Sequence, residues 1–271
     1  MPGLIMNHGV NTDMFGYGVT ASTDTLGKSN FLTVPALDRM SMIIHAFTTR
    51  QNGLGSRVNG IKSFADWAPV AHALAITSDR LVTVNQVHGD TIMTVDETNY
   101  RNVRTAHADA LVTRQAGIAI GIETADCVPV LLVDPETPAV GAIHAGWRST
   151  VKKIVQKTVN QMRDTFGSDP ARMTAAIGPS IGPECYEVDD PVMGPVRQAF
   201  SYWKDVAFPW GEGRWSLDLV KTNIRELISA GFQEDNIHAL GLCTSCKRDL
   251  FYSFRAEGRT GRMLSVIMMK R

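Results

Sequence analysis

The sequence predicts an α+β fold, with mixed β-sheets flanked by helices. Three observations predict it. Apolar runs of strand length outnumber the stretches with helical periodicity. The two kinds of segment do not alternate regularly, as a doubly wound parallel sheet would require. No repeat, low-complexity linker or shift in composition divides the chain, so residues 41–271 are expected to form a single catalytic domain.

Each element has its own warrant. Residues 1–40 are rich in Gly, Thr, Asn and Asp and weakly periodic, and read as an N-terminal arm or an edge hairpin. Met42–Phe47 is a short apolar run, ended by Thr48, Thr49 and Arg50 and the turn-prone residues 51–55. A helix is expected over Phe64–Ile76. Leu81–Val87 and Thr91–Val95 flank His88, Gly89 and Asp90, a spacing that suggests a hairpin. Ala110–Thr113, Ile118–Ile122, Val128–Val133 and Val140–His144 follow as strands. Val151, Ile154, Val155, Val159, Met162 and Phe166 then share one helical face, with Ser149 or Thr150 as cap and Gly167 as stop. Met173–Ile177 is a strand leading into the Gly/Pro-rich loop Gly178–Pro183. A helix is expected over Ser216–Ala230, and Ile237–Leu242 and Leu264–Met269 close the fold as strands.

Composition excludes several classes. The chain has 271 residues, enough for a sizeable core. Lys+Arg and Asp+Glu are both 27, and zero net charge argues against nucleic acid as the main partner. A local basic pocket for one phosphate stays compatible with it. No segment approaches the roughly 20 apolar residues of a membrane span, and the first residues lack a basic region and a long apolar run. Four cysteines are too few for a disulfide scaffold. A cytoplasmic protein with free thiols is expected.

The chemistry-bearing residues sit at the ends of apolar runs. His88 ends one, Cys127 precedes another and His144 ends a third. Strand ends present side chains on a rigid scaffold. Two imidazoles and a thiolate suit zinc, and a catalytic zinc keeps three protein ligands and one open position for water. Each of these residues taken alone also fits a structural role, because the spacing contains no compact metal motif. Cys243 and Cys246 form a single Cys-x-x-Cys whose further ligands are not evident, with His238 alone nearby. Cys185 reads as a loop or core thiol.

The words around these residues add a resemblance. Asn85-Gln86-Val87-His88-Gly89, Ala108-Asp109-Ala110-Leu111-Val112-Thr113, Thr124-Ala125-Asp126-Cys127-Val128-Pro129 and His144-Ala145-Gly146-Trp147-Arg148 occur in this order. Ile177–Pro183, Cys185–Val188, Phe251–Arg255 and Thr260-Gly261-Arg262 continue it. Together they resemble the YfiH family, formerly called multicopper polyphenol oxidases, from about Ile44 to the C-terminus. The resemblance implies a YfiH-like sandwich and one zinc per chain on His88, Cys127 and His144. It implies a purine nucleoside phosphorylase with adenosine deaminase and methylthioadenosine phosphorylase activity, whose partners are a purine nucleoside and phosphate. The sequence departs from the family pattern at residues 50–64, and Ser149 replaces a usual Gly, which bears on the substrate pocket.

Within that activity, deamination needs a proton donor, for which Asp126 and Glu123 are candidates. Phosphorolysis needs cations for phosphate. Arg148 leads, with its neighbouring helix N-terminus adding donors, and Arg50 and Arg255 follow. Four rivals stay open: an enzyme editing peptidoglycan precursors, a Cys–His hydrolase with Cys127 as nucleophile, a copper polyphenol oxidase and a non-catalytic zinc-binding module. Seven histidines without a His-x-His pair disfavour copper.

Overall fold

A computed structural model describes residues 31–51 and 67–271. The expected turn after Gln51, the first residues of the helix expected from Phe64 and most of the expected N-terminal arm lie outside the described residues.

In chain order the first elements are β1 (Phe31–Leu32), α1 (Pro35–Asp38), β2 (Ile43–Thr48), α2 (Ala68–Ala73), β3 (Leu81–Val82), β4 (Ile92–Thr94) and β5 (Ala110–Thr113). Next come β6 (Ala119–Thr124), β7 (Val128–Asp134), β8 (Ala139–Ala145), α3 (Trp147–Val151), α4 (Ile154–Phe166) and β9 (Thr174–Ile177). The last are β10 (Glu187–Val188), α5 (Asp190–Ala199), α6 (Trp203–Val206), β11 (Ala207–Gly211), β12 (Arg214–Leu217), α7 (Leu219–Ser229), β13 (Ile237–Ala239), α8 (Phe254–Glu257) and β14 (Met263–Met269).

Two mixed sheets carry the fold. One has the order β1-β2-β14-β6-β3 and the other β13-β9-β7-β8-β5-β4; a small antiparallel sheet, β10-β12-β11, stands apart. Side-chain alternation along the strands builds the layers. Phe47, Ile120, Ile122, Leu131, Val133 and Ile267 fill one core, where the two large sheets face each other. Val128, Val130 and Leu132, on the opposite face of β7, pack with Ile154, Val159 and Met162 of α4 and Leu227 of α7. Ala46, Val266 and Met268 turn the other way, against Val70 and Ala71 of α2. The layers therefore run helix, sheet, sheet, helices, an α+β sandwich. Central strands buried on both faces explain why the sequence reads there as continuous apolar runs.

Several expectations are corrected. Leu81–Val87 and Thr91–Val95 are not a hairpin: β3 pairs in parallel with β6, and β4 in parallel with β5 in the other sheet. The intervening loop crosses between the sheets, held by an Asn85–His107 bridge. The single helix expected from Val151 is two, because Lys153 takes φ 66° between α3 and α4. The Lys153 ammonium reaches the Glu226 carboxylate of α7 at 3.0 Å. Neither Ser149 nor Thr150 caps: both are buried inside α3, whose cap is Gly146. The helix expected from Ser216 starts at Leu219, where the Asp218 carboxylate accepts from Lys221 N–H at 2.8 Å. Ser216 itself belongs to β12. α5 went unpredicted because Gly194 and Pro195 interrupt its apolar spacing.

Candidate metal centre and pocket

Strand register assembles the centre. β7 and β8 pair antiparallel with Pro129 opposite His144 and Val128 opposite Ala145. Cys127, just before β7, thus lies at the same sheet end as His144. β5 lies on the other side of β8, and His144 N–H donates to Asp109 O at 2.8 Å. His88 arrives on the loop that crosses from the other sheet. One ligand atom from each of His88, Cys127 and His144 lies within 4.8 Å of the others, and Cys127 Sγ is 3.8 Å from His88 Nε2. The imidazoles meet edge to face, with centroids 4.8 Å apart.

Asp109 organises this arrangement, and the sequence chemistry missed it. Its carboxylate is fully buried and accepts the backbone N–H groups of Val87 (3.2 Å), His88 (2.9 Å) and Gly89 (2.6 Å). It also meets His144 Nδ1 at 2.8 Å, which fixes the ring and leaves Nε2 for a metal. A lone Asp before an apolar strand carries no periodic or motif-spacing signal, although the Ala108–Thr113 words contain it. Burial works against ionising Asp109, but the hydrogen bonds from His144 and the Gly89 amide outweigh it and lower its pKa. Burial likewise opposes ionising Cys127, yet His144 and His88 bring the thiol down to about 6. His144 in turn is raised to about 9: burial works against its cation, and Cys127 and Asp109 overcome that. Each partner thus favours the charged form of the other, and thiolate is the form that ligates metal. A Cβ on Gly146 would fall 2.9 Å from Cys127 Sγ and 3.0 Å from His88 Cδ2. Only glycine lets the chain pass so close to the centre.

The centre opens into a cavity of about 540 Å³. Asp126, Glu123, Arg148 and Arg255 line it, as does Arg262, which was not singled out as a candidate. Arg148 is exposed, with its guanidinium 4.4 Å from the Trp147 ring. It lies in the first turn of the five-residue α3, whose N-cap is Gly146, rather than before a helix. Arg255 donates through Nη1 to the Glu187 carbonyl at 2.8 Å. Asp126 has φ 89° and both carboxylate oxygens engaged, by the Thr244 hydroxyl at 2.6 Å and Arg255 N–H at 2.6 Å. Glu123 accepts from Trp67 Nε1 at 3.2 Å, and its backbone N–H and C=O are both bonded to the Gln86 amide. Arg50 corrects an expectation. It is not among the cavity-lining residues described. Its Nη1 instead binds the Arg248 and Phe251 carbonyls and the Glu257 carboxylate, clamping the C-terminal segment.

Fold and site define a two-sheet α+β protein with a His–Cys–His candidate metal centre at a sheet end. The chain belongs to the multi-copper polyphenol oxidoreductase laccase family, whose model matches residues 62–270. It is 39% identical over 240 residues to a purine nucleoside phosphorylase of Deinococcus radiodurans, covering 84% of this chain and 89% of that one. Adenosine deaminase RL5, from an unknown prokaryotic organism, is 35% identical over 210 residues, with 74% and 79% covered. The crystal structure of the Bacillus licheniformis hypothetical protein YfiH superposes with a TM-score of 0.84 at 30% identity, covering 90% of this chain and 98% of that one. The chain thus has the α+β sandwich of the YfiH family. Among the described residues no helix is long and apolar enough to cross a membrane.

Proposed function

We propose that this chain is a cytoplasmic, zinc-dependent purine nucleoside phosphorylase with accompanying adenosine deaminase and methylthioadenosine phosphorylase activity. The carrying observation is the convergence of His88, Cys127 and His144 at the base of a cavity that three arginines line. The names of the relatives supply the reaction class. The donor set fits zinc. Ordinary Zn–S and Zn–N bonds in a tetrahedron separate S from N by about 3.6 Å, against 3.8 Å between Cys127 Sγ and His88 Nε2. When bound there, the ion supplies Lewis-acid charge at the reacting atoms.

The chain's own residues divide the remaining work. In phosphorolysis a phosphate oxygen bonds to ribose C1′ as the bond from C1′ to the purine breaks. Arg148 is the cation for phosphate, because of the three cavity arginines its guanidinium lies over the Trp147 ring while those of Arg255 and Arg262 donate to backbone carbonyls. Arg255, already bonded to Glu187, shapes the wall beside it. Asp126 holds Thr244 and the Arg255 backbone, so it positions rather than donates protons. Glu123 is then the carboxylate for proton delivery to a leaving base or amine.

The test is phosphate-dependent release of free base and ribose 1-phosphate from adenosine and inosine, comparing wild type with Cys127→Ala and counting zinc in both. Turnover with one zinc per chain, both lost in the variant, is the expected result. Full zinc without turnover on any nucleoside would redirect the assignment to cell-wall precursors or a binding module. A metal-free chain whose Cys127 reacts with an alkylating agent would favour the Cys–His hydrolase.

A further inference from the structure

Cys185, Cys243 and Cys246 form a second cluster, with one sulfur from each within 4.8 Å of the others. The topology explains why they meet. β9 and β13 are parallel neighbours, so the loops leaving their C-terminal ends emerge side by side. Ser180 and Cys243 form a parallel bridge between these loops. Ser180 N–H donates to the Leu242 carbonyl at 3.1 Å, and Thr244 N–H to the Ser180 carbonyl at 3.0 Å. Gly182 N–H points at Cys243 Sγ from 3.2 Å. Cys246 follows, with its sulfur 3.2 Å from that of Cys185. The residue that joins the Cys-x-x-Cys pair in this cluster is Cys185, not His238.

We propose that Cys185, Cys243 and Cys246 are a second metal site, binding a thiophilic d10 cation, zinc(II) or copper(I), through three thiolates. Two sulfurs on one tetrahedral zinc lie about 3.8 Å apart. Cys185 and Cys246 sulfurs 3.2 Å apart, with no pair of the three beyond 4.8 Å, leave room for that separation. Three sulfur donors select zinc or copper(I) over the harder cations. A Cys-x-x-Cys supplying two ligands and a distant residue a third is a familiar spacing for such ions, and the Gly182 amide steadies the charge on Cys243 Sγ. The ion would pin the loop at 182–187 to that at 243–246. Tyr186 and Arg255 line the cavity, and Arg255 donates to the Cys185 carbonyl in the first of these loops at 3.4 Å and to the Glu187 carbonyl at the start of β10. The site therefore buttresses one wall of the pocket, and it does not depend on the nucleoside assignment.

The test uses the full chain carrying Cys127→Ser, which removes the thiolate of the first centre, with and without Cys246→Ser. Cys246 is exposed, so its replacement leaves packing intact. Each reduced, chelator-stripped chain is titrated with cobalt(II), followed by zinc(II). A parallel titration uses copper(I) against a chromophoric chelator. The expected result is one cobalt per chain in Cys127→Ser, with a sulfur-to-cobalt charge-transfer band that zinc abolishes and that Cys246→Ser loses. Tight copper(I) uptake with weak zinc uptake would support the same site with copper as its ion. Cobalt held by the histidines alone gives no such band. Absence of the band, with Cys185, Cys243 and Cys246 all alkylated in the presence of each metal, would overturn the proposal. So would a Cys185–Cys246 disulfide in air-purified protein whose reduced form takes up no metal.

Discussion

Asp109 shows how much one buried carboxylate can organise. It gathers three consecutive amides and an imidazole, and so holds the loop of one candidate ligand and the ring of another. The amides explain how His88 can sit at φ 57°, in the left-handed region where a non-glycine residue is strained. Asp109→Asn keeps the shape but replaces one acceptor oxygen with a donor facing other donors. Metal affinity is expected to fall by about 10–100-fold, the usual effect of losing a carboxylate behind a ligand histidine. Competition with a chromophoric zinc chelator measures it. An Asn variant that holds zinc as tightly as wild type would remove Asp109 from the centre's design.

At the scale of elements, the two large sheets meet where β9 ends. A Cβ on Gly178 would lie 2.2 Å from Phe47 Cδ1, 2.3 Å from Phe47 Cε1 and 2.9 Å from Pro129 Cγ. Phe47 comes from β2 of the other sheet and is 1% exposed, so it has no room to swing away. Gly178→Ala is expected to destabilise by about 1–3 kcal/mol through overpacking. Adding Phe47→Leu should recover part of the loss, the non-additivity expected of neighbours. Urea unfolding of the four chains in the cycle checks this, and strictly additive losses would refute the contact. The same junction shows what the sequence made legible. β5 to β9 were readable because burial on both faces leaves unbroken apolar runs. Which sheet each strand joins was not, since periodicity records burial and not partner. The 83–91 segment misled for that reason: turn residues between two apolar runs look alike whether the chain doubles back or crosses to a second sheet. Of the candidate site, His88, Cys127 and His144 stood out by residue type at the ends of apolar runs, although His88 lies on the crossing loop and not at the end of a strand. Asp109 did not, because its contacts come from register and loop closure, and Arg262 reaches the cavity only through the fold.

The molecule as a whole carries a pH dependence outside the candidate metal centre. His45 on β2 is 5% exposed, and its Nε2 accepts the Val34 N–H at 2.8 Å, tying the segment before α1 to the first sheet. Burial lowers its pKa to about 4 from 6.5, and Asp38, with Oδ1 3.9 Å from Nδ1, only partly offsets the effect. Between these two values the unfolded chain binds the proton and the folded chain does not. Stability is therefore complete above the unfolded pKa, falls as pH drops through it, and stops falling below the folded pKa. The loss between about pH 7 and about pH 5 should be roughly 2 kcal/mol from this one residue. Carboxylates add acid lability of their own, so the comparison must isolate the imidazole. His45→Gln retains an acceptor for Val34 N–H and cannot titrate. Denaturant unfolding of both chains over this range should show wild type losing more stability than the variant by about that amount. Equal losses would mean that His45 is free to take up a proton in the folded protein, and that the bond to Val34 does not anchor this edge of the sheet.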